Sequence, residues 1–130
     1  MVVRIAINGF GRIGRLVFRA IRQLYPKECQ VVAIHDLCDI KTNVHLLNYD
    51  TAHRTFSERV TVSGPDTFEL GSGDNKWVVK NIGGRLGPSE LPWKEMNVDV
   101  VLESTGLFRK HAVKEGDKVT VDGYDGHLFA

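Results

Sequence analysis

The residues with evident chemistry come early in the chain. Gly9-Phe10-Gly11-Arg12-Ile13-Gly14 is a G-x-G-x-x-G run. It directly follows Val2-Val3-Arg4-Ile5-Ala6-Ile7, a β-branched stretch that reads as a strand ending at the turn signal Asn8-Gly9. In that position each glycine has a separate physical use. Gly9 permits the tight turn, Gly11 lets the backbone approach a pyrophosphate, and Gly14 lets a following helix lie close on the strand. The free N–H groups and positive dipole end of that helix then receive phosphates. Asp36 stands just beyond a second apolar run, Val31-Val32-Ala33-Ile34, and 22 residues after Gly14. An acid there accepts hydrogen bonds from both hydroxyls of a ribose and repels a 2′-phosphate, which favours NAD over NADP. Glycine spacing alone is a weak signal. A strand before it, a helix after it and an acid at the next strand end are what a dinucleotide-binding βαβ unit requires. The alternative is a structural glycine turn with Asp36 capping the next helix.

The elements that must hold these residues are legible as patterns. Ile13, Leu16, Val17, Ala20, Ile21 and Leu24 recur at helical spacing and predict the buried face of the first helix. Arg12, Arg15, Arg19 and Arg22 then fall on an opposite, solvated face, and Pro26 ends the helix. Residues 55–84 read as short antiparallel strands at 59–62, 67–70 and 77–80, separated by the turn Gly64-Pro65-Asp66 and a loop at 71–75. Trp77 and Trp93 read as core or turn-packing residues. The fold class is therefore α/β, a Rossmann-type domain with a mostly parallel sheet and an antiparallel hairpin insertion.

Composition narrows the class of partner. The chain has 130 residues, 42% of them hydrophobic and 25% charged, as in an ordinary globular domain. Seventeen Lys+Arg against 16 Asp+Glu leave a net charge of +1. No long-range field gathers nucleic acid or anionic membrane, so an anion site must be local. No apolar run is long enough to span a bilayer, and the first residues do not read as a secretory leader. Cys29 and Cys38 form no C-x-x-C pair, which fits a reducing, cytoplasmic setting. His35, His45, His53, His111 and His127 show no metal-ligand spacing, so no metal is expected.

Ile7-Asn8-Gly9-Phe10-Gly11-Arg12-Ile13-Gly14-Arg15 closely resembles the amino-terminal segment of the glyceraldehyde-3-phosphate dehydrogenase family. Tyr49-Asp50-Thr51-Ala52-His53, Leu91-Pro92-Trp93 with Arg85 before it, and the run from Val98 through Ser104-Thr105-Gly106 to Phe108 resemble further family segments in the same order. The resemblance covers residues 2–108. It implies NAD as cofactor, with Asn8, Gly9, Phe10, Gly11, Arg12, Ile13 and Gly14 around the pyrophosphate. It further implies Asp36 on the adenosine ribose, Arg85 on the adenine side, and Ser104, Thr105 and Gly106 beside the nicotinamide half. The sequence departs from the family at His35, where Asn is usual, at Arg54, where Gly is usual, and by one extra residue between Arg85 and Leu91.

After Phe108 the resemblance stops. Residues 109–117 read as about two helical turns, 118–121 as a strand and 122–126 as loop. A sheet short of the six strands of a full doubly wound fold leaves an apolar edge that wants a partner chain or a capping segment. The family's Ser-x-x-Cys-Thr-Thr-Asn nucleophile run is absent from the sequence, and Cys29 and Cys38 read as structural. No catalytic residue is assigned. The expectation is one truncated NAD-binding domain over residues 1–130, lacking a catalytic domain and not catalysing alone. Its parent activity would be the phosphorylating oxidation of glyceraldehyde 3-phosphate. Alternatives are a stand-alone NAD-sensing or partner-binding module, or part of an erythrose-4-phosphate dehydrogenase. Expected partners are NAD and either a second copy or a full-length subunit, with no membrane and no nucleic acid.

Overall fold

In a computed structural model that describes residues 2–50, 54–110, 113–115, 118–121 and 123–129, the glycine motif joins the first strand to the first helix. The elements in order are β1 (Val3–Asn8), α1 (Arg12–Leu24), β2 (Cys29–His35), α2 (Ile40–Asn48), β3 (Tyr49–Asp50), β4 (Arg54–Thr55), β5 (Thr61–Val62), β6 (Thr67–Leu70), β7 (Trp77–Ile82), β8 (Val100–Glu103), β9 (Val113–Glu115) and β10 (Lys118–Val121). Short 3-10 turns lie at Gly73–Asn75, Pro88–Glu90 and Tyr124–Phe129. The main sheet has the order β5-β6-β7-β2-β1-β8. Its β7, β2, β1 and β8 run parallel, while β5 and β6 extend one edge as an antiparallel hairpin. The parallel part carries the third-second-first-fourth strand order of a Rossmann sheet, which brings Asn8, His35, Ile82 and Glu103 to one edge.

Alternation along the strands divides the core between two faces. Ile7, Val31 and Ile34 bury against Phe10, Phe18, Leu47, Phe68 and Val79 on the face that α1 and α2 cover. Ala6 and Ala33 turn to the other face, against Leu91 and Trp93 from the long connection between β7 and β8. Small alanines let that connection, which has no α-helix, lie directly on the sheet. Phe18 is the centre of the larger cluster, edge-on to Phe10 at 5.8 Å and to Trp77 at 5.7 Å.

Three expectations are corrected. The inner face of α1 comprises Gly14, Phe18, Arg19 and Arg22, whereas Ile13 and Leu24 are exposed. Arg19 lies over the Phe56 ring at 5.1 Å and donates to the Leu47 carbonyl. Arg22 lies 4.9 Å over Trp77 and grips Glu58 with two hydrogen bonds of 2.6 and 2.7 Å. Leu47, Phe56 and Glu58 face the arginine side of the helix, where the planar guanidinium groups stack while donating to the Leu47 carbonyl and the Glu58 carboxylate, and Arg22 Nη1 is left buried without a partner among the described residues. Secondly, α2 was not anticipated. Asp39 is its N-cap, accepting from the Thr42 N–H at 2.7 Å, so Asp36 is not a helix cap. Thirdly, Val113–Glu115 is a strand, paired antiparallel with the expected strand Lys118–Val121, where two helical turns were expected. The β-branched Val113, Val119, Thr120 and Val121 favour strand over helix there. Of the family-like segment 49–53, residues 51–53 lie outside the described residues, as does His111.

Candidate functional site

The carboxyl ends of β1 and β2, the Gly11 cap of α1, the turn beyond β8 and residues 85–87 surround a cleft of about 580 Å³. The chain reverses into α1 at Gly9, whose φ of 91° falls in the left-handed region. A Cβ at Gly9 would also stand 2.6 Å from the Thr105 nitrogen. At Gly14 a Cβ would collide with the Gly9 carbonyl oxygen, so this glycine sets the approach of helix to turn. Gly11 differs from both. A Cβ there would meet nothing within 4 Å, because the position faces the open cleft. Gly11 is the N-cap of α1 and offers no side chain to the first turn, which carries no acid, so its amides and dipole remain available to an anion. The donor set, the glycine cradle and the strand-end acid together fit NAD.

Asp36 follows β2 and lines the cleft. Its Oδ1 accepts from the Phe10 N–H and its Oδ2 from the Cys38 N–H, both at 3.1 Å. These bonds aim a carboxylate that stays partly open to solvent. Cys38 sits beside it. A hydrogen bond to Asp36, burial and the Asp36 and Asp39 charges push its thiol up, against a smaller opposing pull from Arg15.

At the opposite side, Glu103 ends β8. Its Oε1 accepts from the Asn8 amide at 2.6 Å and from His127 Nε2 at 2.9 Å. Its Oε2 accepts from the Thr105 N–H at 3.0 Å and the Thr105 hydroxyl at 2.7 Å. Burial alone would raise this carboxyl, but the hydrogen bonds from His127, Thr105 and Asn8 outweigh it and hold it below the ordinary glutamate range. Ser104 closes the turn against the motif, its hydroxyl donating to the Gly9 carbonyl at 2.6 Å.

Of the residues expected at the site, Asn8, Gly9, Gly11, Asp36, Arg85, Ser104 and Thr105 line the cleft. Phe10 contributes its N–H to Asp36 while its ring is in the core. Gly14 acts in packing, and Arg12 and Ile13 offer the exposed first turn. Gly106 adopts φ 79° in the turn beyond β8 and is not itself in the lining. His35, Leu37, Cys38, Leu86, Gly87, Leu107 and Phe108 also line the cleft without having been singled out for it. Most of these flank residues that were, and adjacency along the chain was the available signal. Glu103 carried a further signal, an acid ending a strand next to the first. Among the described residues no cluster of His, Cys, Asp or Glu could hold a metal ion, and no helix is long and apolar enough to cross a membrane.

A βαβ unit whose glycine turn, uncapped helix start and strand-end acid open on one cleft defines a dinucleotide-binding domain of the Rossmann type. Residues 3–111 match the family model described as glyceraldehyde 3-phosphate dehydrogenase, NAD binding domain. The chain belongs to that family, and its cofactor is NAD. It is 44% identical over 114 residues to a glyceraldehyde-3-phosphate dehydrogenase of Thermotoga maritima, covering 88% of this chain and 32% of the relative. It is 48% identical over 109 residues to the enzyme of that name from Xanthobacter flavus, covering 83% and 30%. With that of Mycoplasma pneumoniae it shares 47% identity over 106 residues, covering 82% and 29%. The chain thus spans about a third of the length of these curated relatives.

Proposed function

We propose that the cleft holds NAD with its pyrophosphate on the first turn of α1, where the backbone of Gly9 to Gly14 supplies the amides. Asp36 takes the adenosine ribose, Arg85 flanks the adenine side, and Ser104, Thr105 and Gly106 border the nicotinamide half. The observation that carries this reading is Gly11, an unshielded glycine at an uncapped helix start with room where a side chain would be. Bound NAD would supply a hydride acceptor. The residues here bind and orient it, and the sequence contains no family nucleophile. The chain acts as a single cofactor-binding unit in the oxidation of glyceraldehyde 3-phosphate.

Two features support an associating, cytoplasmic protein. Among the described residues β8 ends the sheet, and Ile13 and Leu24 on α1 are 60% and 67% exposed, a surface suited to a second copy or a full-length subunit. Cys29 and Cys38 are free thiols, as a reducing cytoplasm maintains. Calorimetric titration tests the cofactor reading. Wild-type protein binds one NAD per chain, and Gly11→Val abolishes binding while melting as wild type does, since the new side chain points into the cleft. Equal NAD affinity in the two proteins would refute the placement.

A further inference from the structure

We propose that His127, from a segment beyond the matched family region, is a positioning residue for the nicotinamide side of the cleft, acting through Glu103. The inference rests on the NAD reading above. β8 is the outer parallel strand, with β1 on one side and, among the described residues, no sheet neighbour on the other. The turn that follows it, Ser104 to Leu107, is tied to β1 by the Ser104 N–H donating to the Asn8 carbonyl at 2.8 Å, and beyond Ser104 it takes its order from side chains. Glu103 provides that order, gripping Thr105 with both its N–H and hydroxyl, while the Thr105 hydroxyl in turn accepts from the Leu107 N–H at 3.1 Å.

Glu103 is itself held by His127, which lies in the 3-10 turn Tyr124–Phe129 and is 9% exposed. The ring is fixed from both sides. The Trp93 indole nitrogen donates to His127 Nδ1 at 2.9 Å. An indole N–H can only donate, so Nδ1 accepts and the ring proton sits on Nε2, directed at Glu103 Oε1 2.9 Å away. The ring thus links the connection that covers one sheet face, through Trp93, to the acid that organises the turn. Without it, Glu103 Oε1 keeps only the Asn8 amide and the buried indole N–H loses its acceptor. The matched family region ends at residue 111, so this contact comes from the part of the chain outside it.

The test compares NAD with AMP, which occupies only the Asp36 side. In His127→Ala, NAD should bind about tenfold more weakly, the loss of about one hydrogen bond to a charged group, while AMP binds as in wild type. His127→Gln, whose amide can both accept from Trp93 and donate to Glu103, should restore NAD affinity. Equal losses for NAD and AMP would show a merely structural role, and unchanged NAD affinity would show none; either overturns the proposal. Should His127→Ala not fold, Trp93→Phe removes the donor that fixes the ring and gives the same comparison. If the wild-type protein bound neither nucleotide, the NAD reading would fall separately. The Thr105 and Leu107 amide resonances then decide: movement in His127→Ala with recovery in His127→Gln supports the lock, and no movement refutes it.

Discussion

Asp36 and Glu103 stand at the ends of the two strands that flank β1, and only one of them is open to a ligand. Asp36 takes one backbone N–H on each oxygen, and its carboxylate lines the cleft. Glu103 receives four hydrogen bonds from Asn8, His127 and Thr105, which fill the acceptor positions of a carboxylate. Both are acids at the carboxyl edge of a parallel sheet, where ligands bind, yet residue type and position do not separate their roles. The count of protein donors around each does. A carboxylate aimed by two backbone amides is ready for hydroxyl groups, whereas one saturated by its own protein holds the structure that shapes the cleft.

Substitutions can break this contrast. Glu103→Ala has the largest expected effect, because it strands the Asn8, Thr105 and His127 donors. A loss of about 3 kcal/mol in unfolding free energy is expected by denaturant titration. Asp36→Ala should leave the melting temperature within a few degrees of wild type, since its backbone donors can turn to water. It should weaken NAD binding by about tenfold to a hundredfold and narrow the preference over NADP, as read by calorimetry. If the two substitutions had the same profile, the distinction would be lost.

Acid sharpens the contrast further. Glu103 is held below its ordinary value of 4.5, so the folded state binds this proton less readily than the unfolded chain does. Its stabilising contribution is therefore full above that ordinary value and is lost as pH falls through the lowered folded one. Melting curves across this range should converge for wild type and Glu103→Gln at the acid end and separate above it. The smallest effect concerns Cys38. With its thiol raised first by the Asp36 hydrogen bond, alkylation by iodoacetamide at neutral pH should be slow, and Asp36→Asn should accelerate it a few-fold. Mass spectrometry of the alkylated peptide measures the rate.

The parts of the fold that local chemistry determines were legible in the sequence. The strand before Asn8, the turn at Gly9, the acid after the second strand and the strands at 67–70 and 77–80, the latter running on to Ile82, all follow from residue type and alternation. The facing of α1 was not legible. Arg19 and Arg22 look like a solvated stripe until Phe56, Glu58 and the Leu47 carbonyl, distant in sequence, pack against them. Helix α2 was obscured because Ile40-Lys41-Thr42-Asn43-Val44 mixes β-branched and polar residues, and its Asp39 cap outweighs weak propensity. At the site, the glycine motif identified the cradle but not Cys38, whose place depends on how the chain turns after Asp36. His127 was unreadable as a structural partner, since its meaning depends on Trp93 and Glu103, 34 and 24 residues away.

The central claim, that the glycine turn and Asp36 form the ligand-facing side of the cleft, is tested most directly by mapping NAD onto the amide resonances of the labelled chain. The predicted result is saturable movement of Gly9, Gly11, Arg12, Ile13 and Cys38, with Thr105 also shifted and the Thr61–Val62 and Thr67–Leu70 hairpin unchanged. Shifts centred on that hairpin, or none from Gly9 to Gly14 in a folded sample, would contradict the account.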